Sequence, residues 1–276
     1  MNQEKVKQAI RKNYAKIAIQ RSSCCAPPNS CCGGSTTAAD ISKNLGYSEE
    51  ELTLAPPEAN LGLGCGNPVA LASLQEGENV LDLGSGAGLD CFLAAAKVGD
   101  GGRVIGVDMT PEMVTKAREN ARQGNYANVE FRLGEIENLP VASNSMDAVI
   151  SNCVLNLVPD KNRAFRETFR VLKPGARLMI SDIVLLEELP ESIKGSIEAY
   201  VGCLSGAILK HDYLKAILAA GFREVEIVEE APFSLELTIN DPTAQSIIEN
   251  SGISTAEAKK LAKQVSSVKV RAVKPA

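Results

Sequence analysis

Short apolar strands alternate with helices through the middle of the chain, and this pattern constrains the fold more than any other feature. Strands are predicted at residues 80–83 and 103–107, with a helix at 89–98 between them. The rhythm continues with strands at 129–133, 147–151, 177–184 and 224–228, and with helices at 111–123, 161–172 and 212–221. Strands joined by crossover helices pair in parallel. The pattern therefore predicts an α/β fold with helices on both faces of a mostly parallel sheet.

Polar residues at the predicted helix starts indicate where three of these helices begin. Thr110 precedes Pro111, which suits the first helical position, and Asp160 and Asp212 stand at the start of later helices. We expect each of these three side chains to cap its helix.

Residues 1–76 form a region of different composition. A short amphipathic helix is predicted at residues 4–20. Two loops rich in Gly, Pro or Cys follow, at residues 22–37 and 55–68. The first loop contains Cys24, Cys25, Cys31 and Cys32, and the second contains Cys65.

The alternating pattern fills residues 77–230, which we interpret as the main domain. Residues 190–209 are predicted to be a helical insertion within it and contain Cys203. Beyond residue 230 the rhythm changes, so residues 231–276 are expected to form a small α+β appendage. Its predicted elements are strands at 233–239 and 267–273 and helices that begin at residues 241 and 254.

Charge and hydropathy exclude several classes of partner. The chain of 276 residues has 29 Lys and Arg against 34 Asp and Glu, without a long basic cluster, which argues against nucleic-acid binding. No apolar run approaches the roughly 18 residues of a membrane-spanning helix, and the charged N-terminus does not resemble a secretory signal. We therefore expect a cytoplasmic monomer without membrane partners, whose eight cysteines are thiols.

Three glycines, Gly84, Gly86 and Gly88, stand between the first predicted strand and its helix. Such a turn lets a ligand approach the backbone closely. Asp108 lies 20 residues after Gly88, at the end of the second strand, where a carboxylate can accept hydrogen bonds from ribose hydroxyls. The spacing differs from the dinucleotide fingerprint GxGxxG and is preceded by Asp82. The pattern thus predicts a nucleoside cofactor without obvious provision for a pyrophosphate.

The segment LDLGSGAGLD (81–90) resembles motif I of the S-adenosylmethionine-dependent methyltransferases. LGEIENLP (133–140) is similar to the loop that encloses the adenine in that superfamily, and RVLKPGARLMISD (170–182) to its helix-to-strand segment. The resemblance covers residues 77–185 and implies a Rossmann-like fold with a seven-stranded sheet. It also implies that the cofactor is bound by Asp82, Gly84, Ser85, Gly86, Gly88, Asp108, Met109, Glu135, Ile136 and Asn152.

A scarcity of histidine limits the chemistry at the acceptor end. The chain has one histidine, His211, beside a predicted helix start, so a histidine base is not expected. An acceptor that attacks through its own lone pair fits better. Cys153 follows the strand that ends near Ser151 and so projects from the carboxyl edge of the sheet. This thiol is either methylated itself or holds a soft acceptor atom.

Five segments and the predicted helix around Cys203 resemble the arsenite S-adenosylmethionine methyltransferases over nearly the whole chain. The segments are CCGG (31–34), LGLGCGNP (61–68), GSGAGLDC (84–91), SNCVLNLVPDK (151–161) and SVKVRAVKP (267–275). The resemblance implies that Cys65, Cys153 and Cys203 are the catalytic thiols that bind As(III). It further implies a redox relay between Cys91 and either Cys31 or Cys32. Arsenite or its thiol conjugates would be the substrate, with glutathione or a thioredoxin-type protein as reductant and no metal cofactor.

Several alternatives stay open from the residues alone. Cysteines often serve as small buried hydrophobic residues, although the helix N-terminus could lower the pKa of Cys91 and make it reactive. The four cysteines of the first loop could bind zinc, but their spacing is poor for a zinc finger. The chain has no cysteine after Cys203, where family members often carry more. Rival functions are methylation of an organic small molecule and non-enzymatic binding of soft metals.

Overall fold

The computed structural model describes residues 3–20, 37–189, 206–232 and 263–276. Several sequence predictions fall outside these ranges. They are the helical insertion up to residue 205, the strand at 233–239, the helices that begin at 241 and 254, and the cysteines Cys24, Cys25, Cys31, Cys32 and Cys203. Among the described residues, no helix combines the length and the apolar character that crossing a membrane requires.

A mixed seven-stranded sheet forms the centre of the molecule, as predicted. Its strands are β1 (Asn79–Leu83), β2 (Arg103–Asp108), β3 (Val129–Leu133), β4 (Met146–Asn152), β5 (Leu172–Leu185), β6 (Arg223–Pro232) and β7 (Val265–Val273). Their order across the sheet is β3-β2-β1-β4-β5-β7-β6. The first five pair in parallel, and β7 runs antiparallel to both β5 and β6.

The last strand corrects the predicted division at residue 231. Val265–Val273 lies between β5 and β6 in the main sheet and is not part of an appendage. Residue by residue, it pairs with β5 from Val265–Leu185 to Val273–Arg177. Such pairing joins residues that are 80 to 96 positions apart in the chain, which a local pattern does not reveal.

The helices cover both faces of the sheet. They are α1 (Gln3–Gln20), α2 (Ala38–Asn44), α3 (Glu49–Thr53), α4 (Pro68–Leu71), α5 (Leu89–Val98), α6 (Pro111–Gln123), α7 (Lys161–Val171) and α8 (Lys210–Ala219). The two faces bury separate cores because neighbouring side chains of a strand point to opposite sides. Leu81 of β1 belongs to one core with Phe165 of α7, and Val80 belongs to the other with Phe92 of α5.

Of the three predicted caps, one is confirmed. The side chain of Asp160 accepts a hydrogen bond from the backbone N–H of Arg163. Thr110 directly precedes α6, as predicted, but its side chain makes no capping bond and instead hydrogen-bonds to Asp108 at the strand end. The predicted cap at Asp212 is wrong, since α8 starts at Lys210 and places Asp212 inside its first turn.

Strand order fixes where a ligand can bind. The chain runs from β1 to β2 on one side of β1, and β4 lies on its other side. At such a switch point the loops beyond the carboxyl ends of the strands diverge and leave a crevice. The glycine turn after β1 and the residues that follow β4 both lie at this edge.

Candidate functional site

The turn after β1 is shaped by glycines that leave room for neighbouring side chains. Gly84 has φ +69°, and a Cβ on it would lie 2.4 Å from Val154 Cγ2. Gly88 has φ +100°, and a Cβ there would lie 2.7 Å from Phe131 Cζ. Side chains at either position would therefore both strain the backbone and clash with their neighbours.

Asp108, at the end of β2, closes on this turn. One of its carboxylate oxygens accepts the N–H of Gly86 at 3.0 Å, and the other accepts the N–H of Thr110 at 2.8 Å. Burial raises the pKa of Asp108, and the two N–H groups partly oppose that rise. The carboxylate thus lies beside the glycine turn, where the sequence predicts a ribose.

A second buried carboxylate lies beneath the turn. Burial first, and then the carboxylate of Asp90, raise the pKa of Asp82 well above its ordinary value. The thiol of Cys91 donates to Asp82 at 3.2 Å. Burial and Asp82 together raise the pKa of Cys91, so the expectation that the helix N-terminus activates this thiol is wrong in this arrangement.

The turn also holds a polar atom with nothing to bind. Ser85 Oγ is buried and has no hydrogen-bond partner among the described residues. A buried hydroxyl without a partner is costly, and such groups commonly mark a site that a ligand completes. Together with the glycine turn and Asp108, it fits a polar nucleoside cofactor such as S-adenosylmethionine.

Helix α1 lies against the loop predicted to enclose the adenine. Lys7 Nζ lies 2.7 Å from Glu135 and 3.0 Å from Glu137, and Arg11 also pairs with Glu135. Its bond with Lys7, and then the charges of Lys7 and Arg11, lower the pKa of Glu135. Met109 packs against α1, whereas Ile136 is buried in the main core.

At the other end of the crevice, two thiols meet. The sulfur atoms of Cys65 and Cys153 and a carboxylate oxygen of Asp182 all lie within 4.8 Å of one another. Cys153 has φ +55°, a conformation that is unusual for a residue with a side chain and that often marks functional sites. Both cysteines are half-buried against an apolar cluster that includes Ile183 and Val265.

Comparisons with known proteins show the family and the fold of the chain. A family model of the methyltransferase domain matches residues 74–222. The crystal structure of CrArsM, an arsenic(III) S-adenosylmethionine methyltransferase from Chlamydomonas reinhardtii, has 30% sequence identity and a TM-score of 0.62. That match covers 86% of this chain and 74% of the algal chain. The chain belongs to the arsenic(III) S-adenosylmethionine methyltransferase family.

Two curated relatives carry the name arsenite methyltransferase. The protein from Halobacterium salinarum is 48% identical over 231 residues, which are 81% of this chain and 59% of the relative. The protein from Aquipseudomonas alcaligenes is 40% identical over 179 residues, which are 62% of this chain and 51% of the relative. The matched residues therefore cover little more than half the length of these relatives.

Asp182 lies beside the two thiols, and the sequence did not single it out. It accepts hydrogen bonds from Tyr213 Oη at 2.8 Å and from the N–H groups of Ile183 and Asn156. Burial raises the pKa of Asp182 to about 6, while these bonds and the nearby ammonium of Lys161 oppose the rise. The only signal for this residue was its place as a carboxylate within the buried strand predicted at 177–184.

The structure thus brings together some of the predicted residues and separates others. Cys65 and Cys153 meet, and Asp82, Ser85 and Asp108 gather around the glycine turn. Asn152 lies between the two groups, with its side chain on the Cys65 loop. His211 is exposed and its Nε2 lies 3.2 Å from a carboxylate oxygen of Asp212. The cofactor roles of these residues stay predictions.

Proposed function

We propose that this chain methylates trivalent arsenic, with S-adenosylmethionine as methyl donor and S-adenosylhomocysteine and methylated arsenicals as products. The observation that carries the proposal is the pair of sulfur atoms, Cys65 and Cys153, within 4.8 Å of each other at the carboxyl edge of the sheet. Thiolates are the ligands that soft metals and metalloids prefer. A pair this close suits one shared arsenic atom.

Arsenic enters this proposal as a complex with small thiols such as glutathione. Each protein sulfur forms a bond to arsenic as a small thiol leaves, and the proton of the cysteine goes with the departing thiol. Cys203 is proposed as the third ligand by family resemblance. Three thiolates leave the arsenic lone pair available as the nucleophile, so no general base is required.

The cofactor end has its own set of proposed contacts. Asp108 would hold the ribose, Ser85 and the glycine turn the methionine part, and Asp82 would add a buried carboxylate beneath it. When bound, S-adenosylmethionine supplies a methyl group on a positively charged sulfur. The chain's contribution is chiefly alignment of the two reactants, which can supply about 7–11 kcal/mol of the barrier.

Attack of the arsenic lone pair on the methyl carbon would break the bond between that carbon and the cofactor sulfur and raise arsenic formally from the trivalent to the pentavalent state. Two thiolates would return arsenic to the trivalent state by forming a disulfide, which must be reduced before the next cycle. We propose glutathione or a thioredoxin-type protein as reductant in a reducing cytoplasm, with Cys91 and either Cys31 or Cys32 as the relay. Because Cys91 is fully buried next to Asp82, exchange at this sulfur requires the start of α5 to open.

Transfer of a labelled methyl group from S-adenosylmethionine to arsenite, under multiple turnover with glutathione, tests the proposal. We expect activity in the wild type and a loss of at least about a hundredfold in the single Ser variants of Cys65, Cys153 and Cys203, which corresponds to about 2.7 kcal/mol. Equal activity in all four proteins would rule out the thiol site. Arsenite binding without methyl transfer would favour a binding protein, and transfer to an organic acceptor alone a different methyltransferase.

A further inference from the structure

The side chain of Asn152, the last residue of β4, forms hydrogen bonds with the backbone of the loop that carries Cys65. Its oxygen accepts the backbone N–H of Cys65 at 2.9 Å, and its nitrogen donates to the carbonyl of Gly66 at 2.8 Å. The same nitrogen lies 2.8 Å from Tyr47 Oη and 3.1 Å from Asp90. Asn152 therefore binds the main chain on both sides of the Cys65 side chain.

The loop is built to come this close. A Cβ on Gly64 would lie 2.7 Å from the amide nitrogen of Asn152, and one on Gly66 would lie 2.1 Å from Ser181 Oγ. Both distances are shorter than any contact a real Cβ makes. The glycines that flank Cys65 thus allow its backbone to approach Asn152, at the end of β4, and Ser181, its partner in β5.

Further hydrogen bonds hold the backbones of Cys65 and Cys153 in place, in addition to the bond between Asn152 and Cys65. The carbonyl of Cys65 accepts a hydrogen bond from Ser267 Oγ of β7 at 2.9 Å. The N–H of Cys153 donates to the carbonyl of Ser181 at 2.7 Å. Cys153 follows Asn152 directly, so the backbone of Asn152 leads into one thiol while its side chain holds the other.

We propose that Asn152 is a positioning residue that sets the distance between the sulfur atoms of Cys65 and Cys153, and that it does not bind the cofactor. This inference rests on the proposed arsenic function. It differs from the family expectation for Asn152, because each polar atom of its side chain already has a protein partner. Tyr47 and Asp90, which both accept from the Asn152 amide nitrogen, are joined by a hydrogen bond from Tyr47 Oη to Asp90 at 2.7 Å.

Binding measurements on Asn152→Ala separate the two roles without an activity assay. The probes are phenylarsine oxide, which needs two thiols, and S-adenosylhomocysteine. The full chain is used with Cys24, Cys25, Cys31 and Cys32 replaced by Ser, so that the first loop does not take up arsenic. We expect phenylarsine oxide to bind at least about tenfold more weakly, because both hydrogen bonds from the side chain to the Cys65 loop are lost, with S-adenosylhomocysteine affinity unchanged within about threefold.

Asn67→Ala is the matched control. Asn67 is a buried asparagine two residues from Cys65 that caps α4 and binds Glu51, but it does not bind the backbone of Cys65. We expect it to lower the melting temperature while arsenic affinity is retained. Tyr47→Phe provides a milder version of the test should Asn152→Ala fail to fold, with an expected loss of about threefold in phenylarsine oxide affinity alone.

Three results would overturn the inference. Unchanged phenylarsine oxide affinity in a folded Asn152→Ala protein, or in Tyr47→Phe where that variant replaces it, means that Asn152 does not set the thiol spacing. Weakened S-adenosylhomocysteine binding with arsenic binding intact means that it is a cofactor residue. A parent protein that binds S-adenosylhomocysteine but no arsenical refutes the proposed function itself, and is thereby distinguished from failure of this inference alone.

Discussion

Gly66→Ala tests how closely the Cys65 loop must approach Ser181 of β5. A Cβ at position 66 would lie 2.1 Å from Ser181 Oγ and 3.1 Å from Lys269 Cε. The first distance is about 1.3 Å short of ordinary contact, and Ser181 is fully buried. Overpacking of this kind costs about 1–3 kcal/mol, so we expect the free energy of unfolding to fall by that amount.

Displacement of the loop should also move Cys65, whose sulfur lies 3.8 Å from the same hydroxyl oxygen. Urea denaturation followed by circular dichroism measures the stability, and equilibrium dialysis measures arsenite affinity, which we expect to fall together with it. Adding Ser181→Ala removes the clashing oxygen and leaves its Cβ at 3.1 Å, so the double variant should recover most of the loss.

Gly101→Ala is the control, because a Cβ there meets only Gly77 Cα at 3.7 Å, an ordinary contact. Like Gly66, Gly101 does not have the left-handed backbone that would add strain of its own. We expect a change within about 0.5 kcal/mol. The packing explanation would be refuted if Gly66→Ala were as stable as wild type, or if Gly101→Ala were equally destabilised.

Three further predictions follow from other contacts. Glu135→Gln removes the ion pairs of this residue with Lys7 and Arg11, so amide hydrogen exchange in α1 should become faster. The free energy of unfolding should fall by only about 0–1 kcal/mol. Unchanged exchange would show that apolar packing alone holds α1. Iodoacetamide should label Cys91 more slowly than Cys65 at pH 7.5, because burial raises the pKa of Cys91; mass spectrometry that finds Cys91 among the fastest thiols would contradict this. Burial raises the pKa of Asp90 from 3.8 to about 6, so the folded protein keeps this proton after the unfolded chain has lost it, and stability should fall as pH rises from about 4 to 6. Asp90 should contribute about 3 kcal/mol to this fall, so the fall should be smaller by about that amount in Asp90→Asn, where the raised pKa values of Asp82, Asp108 and Asp182 still act. Unfolding curves at several pH values measure the difference, and parallel curves for both proteins would contradict it.

Locally encoded elements were predictable because their signals lie within a few residues. The apolar pattern and flanking glycines place α5 at Leu89–Val98, as predicted, and the bounds of β1 and β2 differ from the prediction by one residue. Where the capping side chain had another partner, as at Thr110, the local rule failed. The side chain of Thr110 bonds to Asp108, and only the folded strand end shows this.

The sequence by itself determined the strand and helix alternation, the glycine turn with Asp108, and the family resemblance that singled out Cys65 and Cys153. Tertiary structure decided the rest. It placed β7 between β5 and β6 and buried Cys91 against Asp82. It also brought Asp182 close to the thiols of Cys65 and Cys153, and it joined the Asn152 side chain to the Cys65 loop by hydrogen bonds. The physical reason is that periodicity and turn chemistry act between neighbours in the chain. Burial, strand pairing and side-chain hydrogen bonds join residues that meet only after the chain has folded.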